Sequence, residues 1–149
     1  MARRRACVNG ARPCAVDGVF WTTLEYNYAL PGIVKNAIDW ASRPMLPQHS
    51  FVGKPMNAAI ATISAANGIR SLNDLKRIWS NCGGFSVTTF DFVLQFAPSK
   101  FIEENGVETL EPKSLASLRL AIGHLVRAIE GDGGAVVTAN WVALVESLP

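Results

Sequence analysis

Two short segments carry residue types suited to holding a small flat ligand. The first runs Leu24, Glu25, Tyr26, Asn27, Tyr28, Ala29, Leu30, Pro31, Gly32. It combines two aromatics and an amide with backbone shaped by proline and glycine. Backbone N–H groups at such a turn can hydrogen-bond a planar heterocycle, and an aromatic ring can cover it. The second runs Ser64, Ala65, Ala66, Asn67, Gly68. It offers a hydroxyl, small residues that permit close approach, and backbone donors just ahead of a helix start. Residue chemistry alone reaches as far as a pocket for a small planar ligand. The same residues have plainer uses. Tyr26 and Tyr28 can cover the end of a sheet or pack at a subunit interface, and Asn27 can simply stabilise a left-handed turn.

These segments need strands and helices to position them. The apolar run at residues 16–23, rich in Val, Phe, Trp and Thr, predicts a buried strand. The first loop, 24–32, follows it. Ile33, Val34, Ala37, Ile38 and Ala41 recur at helical spacing, which predicts a core-facing helix over 32–43, opened by Pro31 and closed by Pro44. A Pro-rich connection leads to a second strand at 56–64. The second loop follows, then a helix over 71–82 with Ser71 as N-cap, Asp74 in its first turn, and one apolar stripe of Leu72, Leu75, Ile78, Trp79 and Cys82. A third strand is expected at 85–94 and a polar stretch after it. A last helix covers 112–130, with Leu115, Leu118, Ile122, Leu125, Val126 and Ile129 on one face. Residues 1–15 show no period, and 135–148 are apolar without caps. The alternation of strands and helices predicts one α/β domain over 1–149, with a parallel sheet and helices on both faces. In such sheets ligands bind beyond the carboxyl ends of the strands, where both loops fall.

Composition narrows the function classes. Hydrophobic residues make up 49% and charged residues 17% of the 149, a globular balance. The net charge of +2 is uneven: Arg3, Arg4, Arg5 and Arg12 precede a body with ten basic and twelve acidic residues. That body offers no basic face for nucleic acid. No apolar run reaches the ~18 residues of a membrane span, and no signal-peptide pattern follows the arginines. Cys7, Cys14 and Cys82 are odd in number and lack metal spacing, which points to a reducing cytoplasm, with Cys82 in the core. His49 lies in the Pro-rich connection and His124 on a helix. Neither is taken as catalytic, and no catalytic residue is assigned.

The string EYNYALPGIVKNAIDW, Glu25 to Trp40, closely resembles the signature of NADPH-dependent FMN reductases, a family that includes quinone, chromate and azo-compound reductases. Phe51, Gly53, Lys54 and Pro55 resemble that family's connection into its next strand, and Ser64 to Gly68 occupies its second flavin-facing loop. The resemblance covers about residues 15–130. It implies a flavodoxin-like fold that binds FMN, takes hydride from NADPH or NADH, and passes electrons to a small acceptor such as a quinone. It assigns the flavin ring to Leu24, Glu25, Tyr26, Asn27 and Tyr28 of the first loop and to Ser64, Asn67 and Gly68 of the second. Lys35, Asn36, Asp39 and Trp40 match the motif on the helix. Homo-oligomers are expected. Three departures stand out. Leu24 replaces the family's usual proline, and Asn67-Gly68-Ile69 replaces a more glycine-rich stretch. The strand, phosphate-binding loop, helix and second strand that open the family fold find no matching pattern before Val16, so the first strand-helix-strand unit is expected to be missing. The competing expectation is therefore a truncated, catalytically impaired remnant or a non-catalytic association subunit.

Overall fold

The computed structural model describes residues 16–43, 51–63, 65, 68–87 and 90–131. Expectations for residues 1–15, 44–50 and 135–149, including Cys7, Cys14, His49, Pro44 and the arginine cluster, lie outside the described residues.

The chain forms β1 (Val19–Leu24), α1 (Gly32–Ala41), β2 (Pro55–Ala61), α2 (Ile69–Asn81), β3 (Phe85–Ser86), β4 (Phe92–Leu94), β5 (Phe101–Glu104), β6 (Val107–Leu110) and α3 (Pro112–Glu130). β2 is the hub. It pairs in parallel with β1, from Val19 opposite Met56 to Leu24 opposite Ala61, and on its other edge with both β3 and β4. This is the parallel, flavodoxin-like α/β arrangement expected from the alternating elements.

Period-2 alternation along β2 explains the layers. Met56, Ala58 and Ile60 face one side, where they pack with Ile38 of α1 and with Leu72, Leu75 and Trp79 of α2. Ala59 and Ala61 face the other side, with Phe92, Leu94 and Ala121 of α3. Trp79 is fully buried, its indole N–H donating to the Lys54 carbonyl at 3.1 Å and its ring 4.2 Å from that of Phe51.

The single third strand expected at 85–94 is instead two pieces. Between the pairs Met56–Ser86 and Ala59–Phe92, β2 advances three residues while its partner advances six. The partner's three extra residues interrupt the ladder as a bulge. Buried Asn57 sits opposite it, its amide donating to the carbonyls of Ala121 (2.9 Å) and Phe90 (3.4 Å) while its oxygen accepts from the Ala58 N–H. A side chain thus does part of the work that a ladder would otherwise do.

The expected polar stretch contains a 3-10 turn (Ala97–Lys100) and the antiparallel hairpin β5–β6. Asn105 (φ 55°) and Gly106 (φ 77°) form its two-residue turn. Asn-Gly is the favoured pair there because both positions need positive φ. Lys100 binds Glu111 at 2.8 Å, and Ser114 donates to the same carboxylate, tying the hairpin to the start of α3. The Lys100 hydrogen bond, with that from Ser114, holds the Glu111 carboxyl below the usual carboxylate range.

Two helical faces differ from their expected orientation. On α1, Ile38 is buried with Val34 and Ala41 beside it, but Ile33 is 80% exposed and Ala37 also faces out. On α3 the buried positions are Ser114, Ala121, His124 and Leu125, whereas Ile122, Val126 and Ile129 are exposed. The apolar period covers more of each helix than the sheet can.

Candidate cofactor site

The parallel strands β1, β2 and β4 end at Leu24, Ala61 and Leu94, and three loops leave these ends side by side. Leu24, expected at the start of the first loop, is the last residue of β1, paired with Ala61 and half exposed. Tyr26 and Ala29 then exchange both backbone hydrogen bonds, at 3.1 and 2.9 Å. Asn27 (φ 50°) and Tyr28 (φ 63°) occupy the two central positions, the signature of a type I′ turn. Asparagine tolerates that conformation. A tyrosine there is strained. The turn holds the Tyr26 and Tyr28 side chains out, each 60% exposed, and the Arg70 guanidinium lies 4.4 Å from the Tyr28 ring centroid. Such a contact supports the ring by ~0.5–1 kcal/mol.

Glu25 links the first loop to the second helix. Its Oε2 accepts the Ser71 N–H at 3.0 Å, and the Ser71 hydroxyl donates to the Leu24 carbonyl at 3.2 Å. Helix α2 starts at Ile69 with Gly68 in the N-cap position, so Ser71 lies within the first turn, fully buried, and is not the N-cap expected for it. Glu25, distant in sequence, supplies the capping acceptor and a negative charge at the positive end of the helix. Glu25 Oε1 is buried with no hydrogen-bond partner among the described residues.

Gly68 is buried at φ 99°, and a Cβ there would stand 2.6 Å from Val93 Cγ1. Glycine is required on both counts. Ser64 and Asn67 lie outside the described residues.

The third loop is not anticipated by the sequence. The Gln95 amide donates to the Ala65 carbonyl, the Thr62 N–H donates to Leu94 O at 3.0 Å, and the Ala97 N–H donates to Thr62 O at 2.9 Å. Phe96 adopts φ 50° and stands half exposed. The turn after β4 is thereby stapled to the loop after β2. The only cue in the sequence is that this segment leaves the end of the third expected strand. Beside it, a cleft of about 320 Å³ runs along β4 to the start of α3, lined by Phe92, Leu94, Gln95, Lys113 and Ser117 among others. Its Lys100 and Glu111 are bound to each other.

Among the described residues, histidine and cysteine side chains do not converge on the loops. His124 is buried and stacks on Phe90 at 6.5 Å, and burial, with Arg127 nearby, pushes its pKa down. Cys82 is a free, buried thiol whose pKa burial pushes up, which disfavours the thiolate. Among the described residues no three His, Cys, Asp or Glu side chains cluster to hold a metal. No described helix is long and apolar enough to cross a membrane.

A family model described as NADPH-dependent FMN reductase matches residues 12–99, which contain β1 through β4 and all three loop origins. This chain belongs to the NADPH-dependent FMN reductase family. It is 55% identical over 51 residues to an NAD(P)H-dependent FMN reductase of Pseudomonas aeruginosa, a match covering 34% of this chain and 25% of that protein. It is 44% identical over 62 residues to a quinone reductase of Escherichia coli K12, covering 42% of this chain and 32% of the relative. An NADPH:quinone oxidoreductase of Arabidopsis thaliana matches at 28% over 137 residues, 83% of this chain and 68% of the relative. The chain thus spans a quarter to a third of the length of the two bacterial reductases it matches.

Proposed function

We propose that this chain binds FMN at the carboxyl ends of β1 and β2 and serves as an NAD(P)H-dependent oxidoreductase delivering electrons to a small acceptor such as a quinone. The observation that carries the reading is Glu25 Oε1, a buried acceptor with no partner among the described residues, beside an exposed aromatic turn. A polar atom left in that state costs ~1–3 kcal/mol unless something donates to it, and the N–H edge of a flavin ring is such a donor. The residues present therefore fit the ring. Leu24, Glu25, Tyr26, Asn27 and Tyr28 would hold one side, with Ser64, Asn67 and Gly68 on the other. Bound FMN supplies hydride exchange between a nicotinamide and a second acceptor. The protein's share is to orient the ring, hydrogen-bond its edge through the turn, and shield it from water with Tyr26 or Tyr28. No side chain is required as a general acid or base.

A second reading, a family member that associates without catalysing, is favoured by one observation. The start of α2, an anion-attracting helix end, is already occupied by the Glu25 carboxylate. It is therefore not available to the FMN phosphate. The two readings separate in a titration of the chain with FMN and with riboflavin, followed by quenching of flavin fluorescence, and in an assay of NADPH oxidation with benzoquinone. We expect FMN to bind, with less than tenfold preference over riboflavin, and to support NADPH oxidation. No quenching at ~100 µM flavin would overturn the reading. Binding without NADPH oxidation would favour the second. We also infer a cytoplasmic setting, supported by the odd cysteine count and the free Cys82 thiol, and assembly with further copies.

A further inference from the structure

We propose that Ile63 and Phe96, where β2 and β4 run out, form the platform on which a neutral, planar electron acceptor of the quinone class rests. It rests on the cofactor reading above, which puts the flavin at this end of the sheet. Ile63 is 79% and Phe96 49% exposed, and neither belongs to a core cluster. The backbone brings them together. Leu24 pairs with Ala61 and Ala61 with Leu94, so the three strand ends stand in one row, ~4.8 Å apart. The Thr62 N–H donates to the Leu94 carbonyl at 3.0 Å, and the Ala97 N–H donates to the Thr62 carbonyl at 2.9 Å. Thr62 thus spans Gln95 and Phe96, and Ile63, one residue on, leaves β2 beside them.

Phe96 holds a conformation that its residue type resists. At φ 50° and ψ 41° it is left-handed, where glycine or asparagine is at ease and a bulky aromatic is strained. Its carbonyl accepts from the Ser99 N–H and the Ser99 hydroxyl, each at 2.9 Å, and the preceding Gln95 amide donates to the Ala65 carbonyl. The surroundings impose this backbone without drawing the ring into the core. A strained residue with a half-exposed aromatic side chain, next to a more exposed isoleucine, points to an external use. Charge selects the occupant. Residues 60–69 and 92–99 contain no charged side chain. Of the cations that follow them, Arg70 lies against the Tyr28 ring and Lys100 is bound to Glu111. An uncharged ring fits such a wall, stacking on Phe96 and covering Ile63. An anionic acceptor gains nothing from it.

The test uses duroquinone, which is neutral, planar and fully substituted and so inert to the chain's thiols, with ferricyanide as the anionic counterpart. The Ile63 methyl resonances are followed by NMR as duroquinone is added to the full chain, alone and with FMN. A saturable shift is expected in both. Phe96→Gly should weaken it about tenfold, equivalent to ~1.4 kcal/mol, the upper size of one aromatic contact. Glycine accepts the left-handed backbone, so this variant should lower Tm by no more than ~2 °C, which separates loss of the ring from loss of the fold. In NADPH oxidation with FMN present, Phe96→Gly and Ile63→Ser should each raise KM for duroquinone several-fold and leave KM for ferricyanide unchanged. Val107→Ser, on the exposed strand β6, should change neither. An Ile63 signal indifferent to duroquinone at ~0.5 mM would overturn the proposal. So would an affinity unaltered by Phe96→Gly, or equal losses with both acceptors. A chain that takes up no FMN but shows the Ile63 shift would uphold the platform and refute the cofactor reading.

Discussion

Replacing Glu25 separates its two roles. In the folded chain its Oε2 accepts the Ser71 N–H at 3.0 Å across 46 residues of sequence. Removing an N-terminal capping acceptor costs ~1–2 kcal/mol, and losing a negative charge at that helix end costs ~0.3–1 kcal/mol. The two overlap, so Glu25→Ala is expected to destabilise by ~2 kcal/mol. Glu25→Gln keeps an acceptor and loses the charge, and should cost ~0.5–1 kcal/mol. At ~2–4 °C per kcal/mol for a chain of about this length, Tm should fall by ~4–8 °C and ~1–4 °C respectively. An opposing effect is present. Glu25 Oε1 is buried with no partner among the described residues, which costs ~1–3 kcal/mol that Glu25→Ala would relieve. The cap is expected to prevail because the Ser71 N–H would otherwise be left buried and unpaired. Thermal melts by circular dichroism decide. A Tm for Glu25→Ala equal to or above that of the unsubstituted chain would refute the ordering. FMN should raise the Tm of the unsubstituted chain by mass action and raise that of Glu25→Ala much less. An equal rise in both would show that the carboxylate is a structural cap only.

Gly68→Ala must accept φ 99° and a 2.6 Å approach to Val93 Cγ1. We expect a loss of ~2–4 kcal/mol, read as a lower urea midpoint with unchanged m, and an unshifted midpoint would count against it. Asn57→Ala removes the donor bridging the bulge to the Ala121 carbonyl. It should cost ~1–3 kcal/mol and speed amide exchange around residue 90 more than around residue 20. His124 is held neutral by burial, its folded pKa lying below the unfolded value of ~6.5. Stability is therefore full above that unfolded value, declines as pH falls through it, and levels off below the folded pKa. His124→Gln should flatten the Tm profile between pH 7.5 and 5, and an unchanged slope would assign the dependence elsewhere.

Much of this was legible in the residues. The stripe of Leu72, Leu75 and Trp79 predicted its helix because those three positions are fully buried against β2. The last helix keeps the expected bounds, opened by Pro112 and closed by Gly131 at φ 89°. The misreadings share a physical cause, namely partners distant in sequence. Ser71 has N-cap chemistry, but Glu25 reaches the helix start from another loop. Residues 85–94 alternate like one strand, yet the bulge opposite Asn57 splits them. Ile33 keeps helical period with Ala37 and Ala41 but lies on the uncovered side. The β5–β6 turn was different. Asn105-Gly106 announced it locally, and the polar composition around it obscured the signal. In the candidate site, the first loop's aromatics were readable from type and spacing. Gln95 was not, because its importance arises from a contact with Ala65 thirty residues away.

The position of β2 has a consequence for how the chain acquires its structure. Every parallel pairing among the described strands includes it, at sequence separations of 37 residues to β1 (Val19 to Met56) and 33 to β4 (Ala59 to Phe92). Two long loop closures must therefore converge on one seven-residue strand before the sheet gains its contacts, a high-contact-order route that slows folding. Substitutions such as Ile60→Val should act chiefly on the folding limb of a chevron. Changes in the Asn105-Gly106 hairpin, which closes on itself, should act chiefly on the unfolding limb.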